Sequence, residues 1–163
     1  MSERAPLRAG IGWDSHRLEA GRRLVIGGVE IADSEAGLAG HSDADVLTHA
    51  IIDALLGAAG LGDIGQHFPD TDERWKDASS LDLLRTTSAL VSDAGYAITN
   101  IDATVACEEP KLAPLRDDMR TRLAAAAGIE PDAVNVKFTT GERMGFVGRG
   151  EGMAALAIAA LSH

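Results

Sequence analysis

Cysteine, basic side chains and long hydrophobic runs are scarce in this sequence, and each scarcity excludes a class of protein. The single cysteine, Cys107, excludes a framework of intrachain disulfides and fits a reducing compartment. Lys and Arg number 15 against 25 Asp and Glu, so the net charge of -10 argues against a nucleic-acid partner, whose phosphates require basic surfaces. The longest apolar run, residues 153–161, is too short to span a bilayer.

What the sequence does contain is typical of a folded domain. Of its 163 residues, 45% are hydrophobic and 25% are charged, which is far from the composition of a disordered chain. This length predicts a single domain over residues 1–163. Residues 1–10 lack the apolar core of a secretory signal. We therefore expect a soluble cytoplasmic protein with no membrane partner.

Hydrophobic periodicity predicts strands that alternate with helices. Strands are predicted at 8–13, 23–31, 97–106 and 134–139, the first two forming a hairpin with its turn at 19–21 and a loop at 32–40. Helices are predicted from Ser42 or Asp43 to Ala58, at 79–94 and at 114–127, with an irregular loop at 60–77. Residues 153–161 form either a helix or a buried strand, and their alanines favour a helix.

These elements predict an α+β or α/β fold with a mixed sheet of about four strands and a small hairpin. Helices are expected on one face of the sheet. The opposite face must then be buried in another way, and assembly into an oligomer is the usual solution.

Asp14-Ser15-His16 follows the first predicted strand and suggests an arm with two metal ligands. Residues i and i+2 of an extended segment point to the same side, so the carboxylate and the imidazole converge. His49, one turn into the first helix, supplies a third ligand, and three protein ligands with an open position are typical of catalytic zinc. Asp45 and Asp53, four residues away on either side, are candidates to orient the second nitrogen of His49. The alternative is that these are ordinary surface polar groups.

Four further segments are candidates for ligand contacts, each with a simpler structural alternative. Residues 40–43 suggest an anion site at a helix N-terminus, or a plain helix cap. Residues 60–65 match the dinucleotide fingerprint G-x-G-x-x-G but follow a helix, so the match is rejected. Residues 107–113 present main-chain groups around Pro110, or simply begin a helix. Residues 139–152 suggest a phosphate cradle in which Glu142 holds a hard cation, or glycine turns.

Taken together, these segments resemble one family over nearly the whole chain, the 2-C-methyl-D-erythritol 2,4-cyclodiphosphate synthases of the non-mevalonate isoprenoid pathway. The matching blocks are Asp14-Ser15-His16, His41-Ser42-Asp43-Ala44-Asp45-Val46 with His49, Gly62-Asp63-Ile64-Gly65, Phe68-Pro69-Asp70-Thr71-Asp72, Pro110-Lys111, and Gly145-Phe146-Val147-Gly148-Arg149-Gly150-Glu151-Gly152. Two positions depart from the family pattern: Gly141 replaces a hydroxyl residue of many relatives, and Glu108-Glu109 brings two acids beside the expected nucleotide pocket.

The resemblance implies a homotrimer with active sites at its subunit interfaces. Each site would convert 4-diphosphocytidyl-2-C-methyl-D-erythritol 2-phosphate to the cyclic diphosphate and CMP. The cofactors implied are Zn2+ and a second divalent ion, Mg2+ or Mn2+. A central cavity on the trimer axis takes up an isoprenoid diphosphate in some relatives.

The resemblance also implies roles for individual residues. Asp14, His16 and His49 would bind zinc, and His41 and Thr140 would stabilise the transition state. His41 and Ser42 would contact the diphosphate, and Asp63 and Gly65 the erythritol, near Phe68, Asp70 and Asp72. The neighbouring subunit would supply Cys107, Pro110, Lys111, Leu112 and Ala113 around the cytosine. Its Thr139, Thr140 and Glu142 would hold the phosphates and the second ion, with Phe146 and Arg149 near the phosphates or the axial cavity.

Two other functions fit the same residues. A metal-dependent phosphohydrolase would use the Asp-His-His site with water as the nucleophile. A non-catalytic trimer that binds isoprenoid diphosphates would use zinc as a structural clamp, although structural zinc normally has a fourth Cys or His ligand.

Overall fold

The computed structural model describes residues 7–163. The prediction that residues 1–10 contain no secretory signal concerns six residues, 1–6, that lie outside this range. No helix within residues 7–163 is long and apolar enough to cross a membrane.

A mixed sheet forms the centre of the molecule. The strands are β1 (Arg8–Ala20), β2 (Val25–Ile26), β3 (Val29–Glu30), β4 (Ala36–Leu38), β5 (Ala97–Ala106), β6 (Val134–Thr139) and β7 (Gly152–Ser162). Five of them form the sheet in the order β4-β1-β7-β5-β6, and β2 pairs with β3 in a separate hairpin. β5 and β6 run parallel, whereas the other neighbours in the sheet are antiparallel.

Helices cover one face of this sheet. They are α1 (Val46–Ala59), α2 (Ile64–His67), α3 (Ser80–Asp93), α4 (Arg116–Ala127) and α5 (Gly145–Gly148), with 3-10 turns at Glu73–Trp75, Ala113–Leu115 and Pro131–Ala133. α1 lies directly on β1, because a Cβ atom at Gly10 or Gly12 would collide with the backbone of α1. The alternate residues Ile11 and Trp13 are 66% and 57% exposed, so the opposite face of the sheet is open. The predicted α+β class is confirmed.

The C-terminal segment corrects the sequence prediction. Residues 153–161 were expected to favour a helix, but they belong to strand β7, which is paired on both sides, with β1 and with β5. The open face of this strand carries the apolar Leu156 and Ile158, so the strand is a nearly continuous apolar run whose periodicity does not distinguish it from a buried helix. Its alanines instead let α1 approach the sheet: Ala155, Ala157 and Ala159 are buried in the core beneath the helices.

The N-terminal hairpin was also predicted wrongly. β1 continues to Ala20 and pairs with β4 and β7, not with residues 23–31. Residues 25–30 instead fold back on themselves as β2 and β3, with Gly27 and Gly28 at positive φ between them. The predicted loop at 32–40 contains the edge strand β4, and the predicted loop at 60–77 contains α2 and a 3-10 turn.

The other boundaries are close to those predicted, except at the start of α1. β5 and β6 have the predicted limits, and α3 and α4 differ by one or two residues. α1 begins at Val46 and is capped by Asp45, not by Ser42 or Asp43. The fully buried Asp45 carboxylate accepts hydrogen bonds from Gly27, Gly28 and Thr48, and thereby ties the β2–β3 turn to the helix.

Candidate metal centre and ligand cavity

Three side chains converge where β1 passes the first turn of α1. Asp14 Oδ2 lies 2.9 Å from His16 Nε2 and 3.1 Å from His49 Nδ1, and the two imidazole nitrogens are 3.2 Å apart. Asp14 and His16 point the same way because they are two residues apart on an extended strand. Both lie within β1 and not after its end, since β1 is longer than predicted.

The ring of His16 is held in one orientation by the backbone. Its Nδ1 lies 2.7 Å from the carbonyl oxygen of Ala39, just after β4. A carbonyl only accepts, so Nδ1 carries the hydrogen and the lone pair of Nε2 points toward Asp14 and His49. Burial alone lowers the pKa of His16, but the hydrogen bond and the charge of Asp14 more than offset it and raise this pKa above 6.5.

Asp14 is the anionic member of the group. Burial alone would raise its pKa, yet the hydrogen bonds with His16 and His49, together with their charges, lower the pKa of Asp14 to about 2. The carboxylate is therefore ionised at any pH near neutrality. It attracts a cation, which is a proton on an imidazole in the absence of a metal.

The chemistry of this group fits a divalent metal. Its three potential ligand atoms all lie within 4.8 Å of one another. Zinc bonds of about 2.0 to 2.1 Å in tetrahedral geometry place neighbouring ligand atoms roughly 3.3 Å apart, and the three contacts are slightly shorter, at 2.9–3.2 Å. One carboxylate and two imidazoles with further positions open form the donor set of a catalytic site.

The second nitrogen of His49 does not contact either carboxylate suggested by the sequence. Asp45 caps α1, and Asp53 accepts a hydrogen bond from the backbone of Ile64. His49 Nε2 lies instead 2.8 Å from the hydroxyl of Ser80, the first residue of α3, and 3.2 Å from the hydroxyl of Ser42. The prediction for Asp45 and Asp53 is therefore wrong.

The metal group forms one wall of a cavity of about 430 Å³. Its lining brings together eight of the predicted site residues, namely Asp14, His16, His41, Ser42, His49, Gly65, Phe68 and Asp70. Trp13, Ile64 and Trp75 supply an apolar part of the lining. A metal group beside a half-apolar cavity suits a ligand with a charged end and a less polar body.

Two predicted contacts lie outside the lining of this cavity. Asp63 caps α2 by accepting a hydrogen bond from Gln66, and the carboxylate of Asp72 is paired with Arg74 at 2.6 Å. The carbonyl oxygen of Asp72 does reach the site indirectly, because it lies 3.1 Å from His41 Nε2.

The residues predicted to contact the nucleotide line other cavities. Cys107, Pro110, Lys111, Leu112, Ala113, Thr139 and Thr140 surround a cavity of about 180 Å³ that shares no residue with the first. Arg149 lines a third, together with Glu108 and Glu109. Glu142, whose carboxylate accepts a hydrogen bond from the Thr140 hydroxyl, belongs to no group of three potential metal ligands in the described part of the chain. Phe146 is 38% exposed.

Glu108 has a structural role that the sequence did not reveal. Its carboxylate accepts hydrogen bonds from the backbone nitrogens of Gly141 at 2.8 Å and Arg143 at 3.3 Å. It thereby holds the loop in which Glu142 and Arg143 both adopt positive φ. A side chain at position 141 would collide with the backbone of Gly148, so in this loop glycine is required.

The sequence predicted neither the roles of Ser80 and Glu108 nor the apolar lining by Trp13, Ile64 and Trp75. No motif of the sequence links position 80 to position 49, or position 108 to position 141, because both contacts arise from tertiary packing. The signal available for Glu108 was only its departure from the family pattern.

Comparison with known proteins gives a consistent result. The model of the YgbB family matches residues 7–162. The 2-C-methyl-D-erythritol 2,4-cyclodiphosphate synthase of Alkaliphilus oremlandii is 59% identical over 155 residues, which cover 95% of this chain and 98% of the relative. A bifunctional enzyme IspD/IspF of Anaeromyxobacter sp. is 60% identical over 96% of this chain, which spans only 40% of that longer protein.

A solved structure agrees with these sequence matches. The structure of a 2C-methyl-D-erythritol-2,4-cyclodiphosphate synthase with CDP bound superimposes on this chain with a TM-score of 0.86 and 38% identity. The match covers 95% of this chain and 100% of the other. The resemblance stated from the motifs is confirmed.

Proposed function

Since the chain belongs to the YgbB family, we propose that it converts 4-diphosphocytidyl-2-C-methyl-D-erythritol 2-phosphate to 2-C-methyl-D-erythritol 2,4-cyclodiphosphate and CMP. The observation that carries this proposal is the convergence of Asp14, His16 and His49 on one wall of a cavity that also contains His41 and Ser42. Residues 1–163 would form one cyclodiphosphate synthase domain, which in the bifunctional relatives is part of a longer chain.

The reaction needs no nucleophile from the protein. An oxygen of the 2-phosphate attacks the β-phosphorus of the same molecule, a new P–O bond closes the ring, and the bond to the α-phosphate breaks, so that CMP leaves with the electron pair. Because nucleophile and electrophile belong to one substrate, the protein mainly positions them and offsets charge. Zinc held by Asp14, His16 and His49 would supply Lewis acidity toward the β-phosphate.

The remaining residues of the cavity orient the substrate. The carbonyl oxygen of Asp72 orients the ring of His41 through a hydrogen bond to Nε2. His41 and Ser42, which both line the cavity, would then contact the diphosphate. Phe68 and Trp75 pack edge to face at 5.1 Å and supply the less polar wall of the cavity. Gly65 and Asp70 in the same lining would face the erythritol, with Asp63 and Asp72 behind them.

We propose that a second subunit supplies the nucleotide side of each site. The residues expected around cytosine and the phosphates line cavities separate from the metal centre within one chain. Leu112 and Pro110 would enclose the base with Lys111 at its edge, and Thr139 and Thr140 would contact the phosphates. Glu142 would hold the second divalent ion, Mg2+ or Mn2+, since its carboxylate is exposed on that loop.

The open face of the sheet supports assembly into a homotrimer. Ile11 pairs with Ile158 and Trp13 with Leu156 across β1 and β7, and all four side chains are substantially exposed. A stripe of this kind is typical of a subunit interface. In such a trimer the exposed Phe146 and Arg149 would reach the axial cavity proposed for an isoprenoid diphosphate.

Product analysis tests the reaction. Purified protein with zinc and magnesium should convert the substrate to the cyclic diphosphate and equimolar CMP, followed by phosphorus NMR. Erythritol phosphates without the cyclic product would indicate a phosphohydrolase, and binding without turnover would indicate a non-catalytic protein. Either outcome would contradict the proposal.

A mixing experiment tests the shared site. His49→Ala and Glu142→Ala should each be nearly inactive, because each lacks one side of every site. After unfolding and joint refolding in equal amounts, about a quarter of the sites should combine two intact sides in a randomly mixed trimer. Recovery of roughly that fraction of activity is expected, whereas sites built within one chain would give none.

A further inference from the structure

The metal group contains one histidine whose orientation is set by side chains that the proposed reaction does not use. Resting on the zinc site of the proposed function, we propose that Ser80 and Asp43 are positioning residues that hold His49 in the tautomer whose Nδ1 is free to bind the metal. Neither residue touches the substrate cavity as a ligand group, and both act through His49.

The contacts form a chain from α1 through α3 to the loop before α1. His49 Nε2 lies 2.8 Å from Ser80 Oγ, and Ser80 Oγ makes a short hydrogen bond to Asp43 Oδ1. The backbone nitrogen of Ser80 also donates to Asp43 Oδ2, at 2.9 Å. Ser80 is completely buried, so water does not compete for its hydroxyl.

The direction of each hydrogen bond follows from the carboxylate of Asp43, with which this series of contacts ends. A carboxylate only accepts, so the Ser80 hydroxyl must give its hydrogen to Asp43. The oxygen of Ser80 can then only accept from the imidazole, and His49 Nε2 must carry the ring hydrogen. The lone pair of Nδ1 is thereby left facing Asp14 and His16, at 3.1 and 3.2 Å.

In both histidines of the group, therefore, one ring nitrogen is held as a donor and the lone pair of the other faces the metal site, but different partners hold the two rings. A backbone carbonyl fixes His16, whereas a serine and a carboxylate fix His49. Partners of this kind raise the basicity of a ligating imidazole and determine which nitrogen meets the metal. Ser42, at a longer 3.2 Å from Nε2, leaves the shorter Ser80 contact as the main restraint.

Two substitutions disturb this chain at different points. Ser80→Ala removes the acceptor for Nε2–H, so the ring gains freedom to exchange tautomers. Asp43→Asn keeps the shape but reverses the hydrogen-bond chain when its amide oxygen accepts from the nitrogen of Ser80. The NH2 group then donates to Ser80 Oγ, and the hydrogen bond that Asp43 Oδ1 accepts from the nitrogen of Asp45, at 3.2 Å, is lost. The serine hydrogen then turns to His49 Nε2 and favours the wrong tautomer.

The experiment measures the metal-free protein first. Nitrogen-15 NMR at alkaline pH should show Nε2–H for His49 in the wild type, and a shift toward Nδ1–H in Ser80→Ala and, more strongly, in Asp43→Asn. Zinc affinity, measured by competition with a chelator, should fall by about 10- to 100-fold in both variants. The double variant should bind zinc no more weakly than Ser80→Ala, because the hydrogen bonds of Asp43 reach His49 through Ser80.

Thr87→Val is the matched control. Thr87 is a completely buried residue of the same helix, and within residues 7–163 its hydroxyl bonds only to the carbonyl oxygen of Leu83, so its loss should change neither the tautomer nor zinc affinity. Weaker zinc binding with an unchanged tautomer would show a general packing effect and overturn the proposal. So would an unchanged tautomer and affinity in both variants. If the wild type itself bound no zinc, the zinc site of the proposed function would be contradicted. The tautomer of His49 would still be measured by NMR and would test the roles of Ser80 and Asp43 separately.

Discussion

The two regions that the proposed reaction brings together are built on opposite principles. The metal side consists of side chains on β1, α1 and α3 that are mostly buried and held by hydrogen bonds within one chain. The nucleotide side consists of loops at 107–113 and 139–149, with exposed Thr139 and Glu142 and a backbone at positive φ held by Glu108. The first region is complete without a partner. The second presents main-chain groups and an open surface, which suits a region that a second subunit and a ligand complete.

Removing a metal ligand should break the metal side completely. His49→Ala leaves only Asp14 and His16 as ligands, so we expect zinc to be lost and turnover to fall on the order of a thousandfold, since a metal Lewis acid contributes several kcal/mol. Metal analysis and a product assay check this, with circular dichroism to verify folding. His163→Ala, a histidine that stacks on Tyr96 at the end of the chain, is the control. Full zinc content with full activity in the first variant would contradict the metal assignment.

The two sides also differed in how far the sequence predicted them. Asp14 and His16 follow from strand alternation, and His49 from a well-marked helix, so the ligand set was predictable. The partner of the second nitrogen of His49 was not, because Ser80 is 31 residues away in the chain and meets it only when α3 packs on α1. Glu108 and Gly141 are 33 residues apart and raise the same difficulty.

For the fold, the same distinction between local and long-range information applies. β5, β6, α3 and α4 carry their own periodicity and boundary residues, and they were predicted nearly correctly. β7 was not, because its open face carries the apolar Leu156 and Ile158, so the strand shows no alternation of apolar and polar residues to distinguish it from a helix. β4 is a strand because it pairs with the extension of β1, and no local sequence pattern predicts this pairing.

Acid should weaken the metal side and leave the nucleotide side unaffected. The pKa of His16 is raised above 6.5 in the metal-free protein, so zinc must displace a proton below that pKa. His16 alone then lowers zinc affinity about tenfold for each pH unit of acidification. In stability terms, the His16–Asp14 pair stabilises the metal-free protein fully between pH 3.8 and 6.5, and less as the pH rises through the folded pKa of His16 or falls through that of Asp14.

Thermal unfolding measures both effects. Adding zinc should raise the melting temperature more at pH 8 than at pH 6, because protons compete with zinc for His16 less as the pH rises. Affinity for CMP, which lacks the β-phosphate that would meet the metal side, should change little when measured in parallel, because residues 107–113 and 139–149 contain no histidine. A zinc-induced increase that is the same at both pH values would contradict the role of His16.

Loosening the 140–143 loop should affect the nucleotide side alone. Glu108→Ala removes the acceptor for two backbone nitrogens, so we expect CDP affinity to fall up to about tenfold, as for the loss of one charge-assisted hydrogen bond. Zinc content should not change. Glu109→Ala is the matched control, because its carboxylate makes no hydrogen bond within residues 7–163. Titration calorimetry measures the affinity, and equal losses in the two variants would show that net charge, not the loop, is responsible.

The smallest effect is expected from Cys107, although it lies in the nucleotide cavity. Burial, with Glu109 nearby, raises the pKa of its thiol to about 11, so it remains neutral at physiological pH and is neither a metal ligand nor a nucleophile there. Its hydrogen bond goes to the carbonyl oxygen of Glu109, which a serine hydroxyl can replace. Cys107→Ser should therefore change CDP affinity less than about threefold, since main-chain groups form the contacts on this side. A loss of CDP affinity comparable to that of Glu108→Ala would mean that side chains recognise the base. Both regions would then bind their ligands through side chains, and the contrast between them would be smaller.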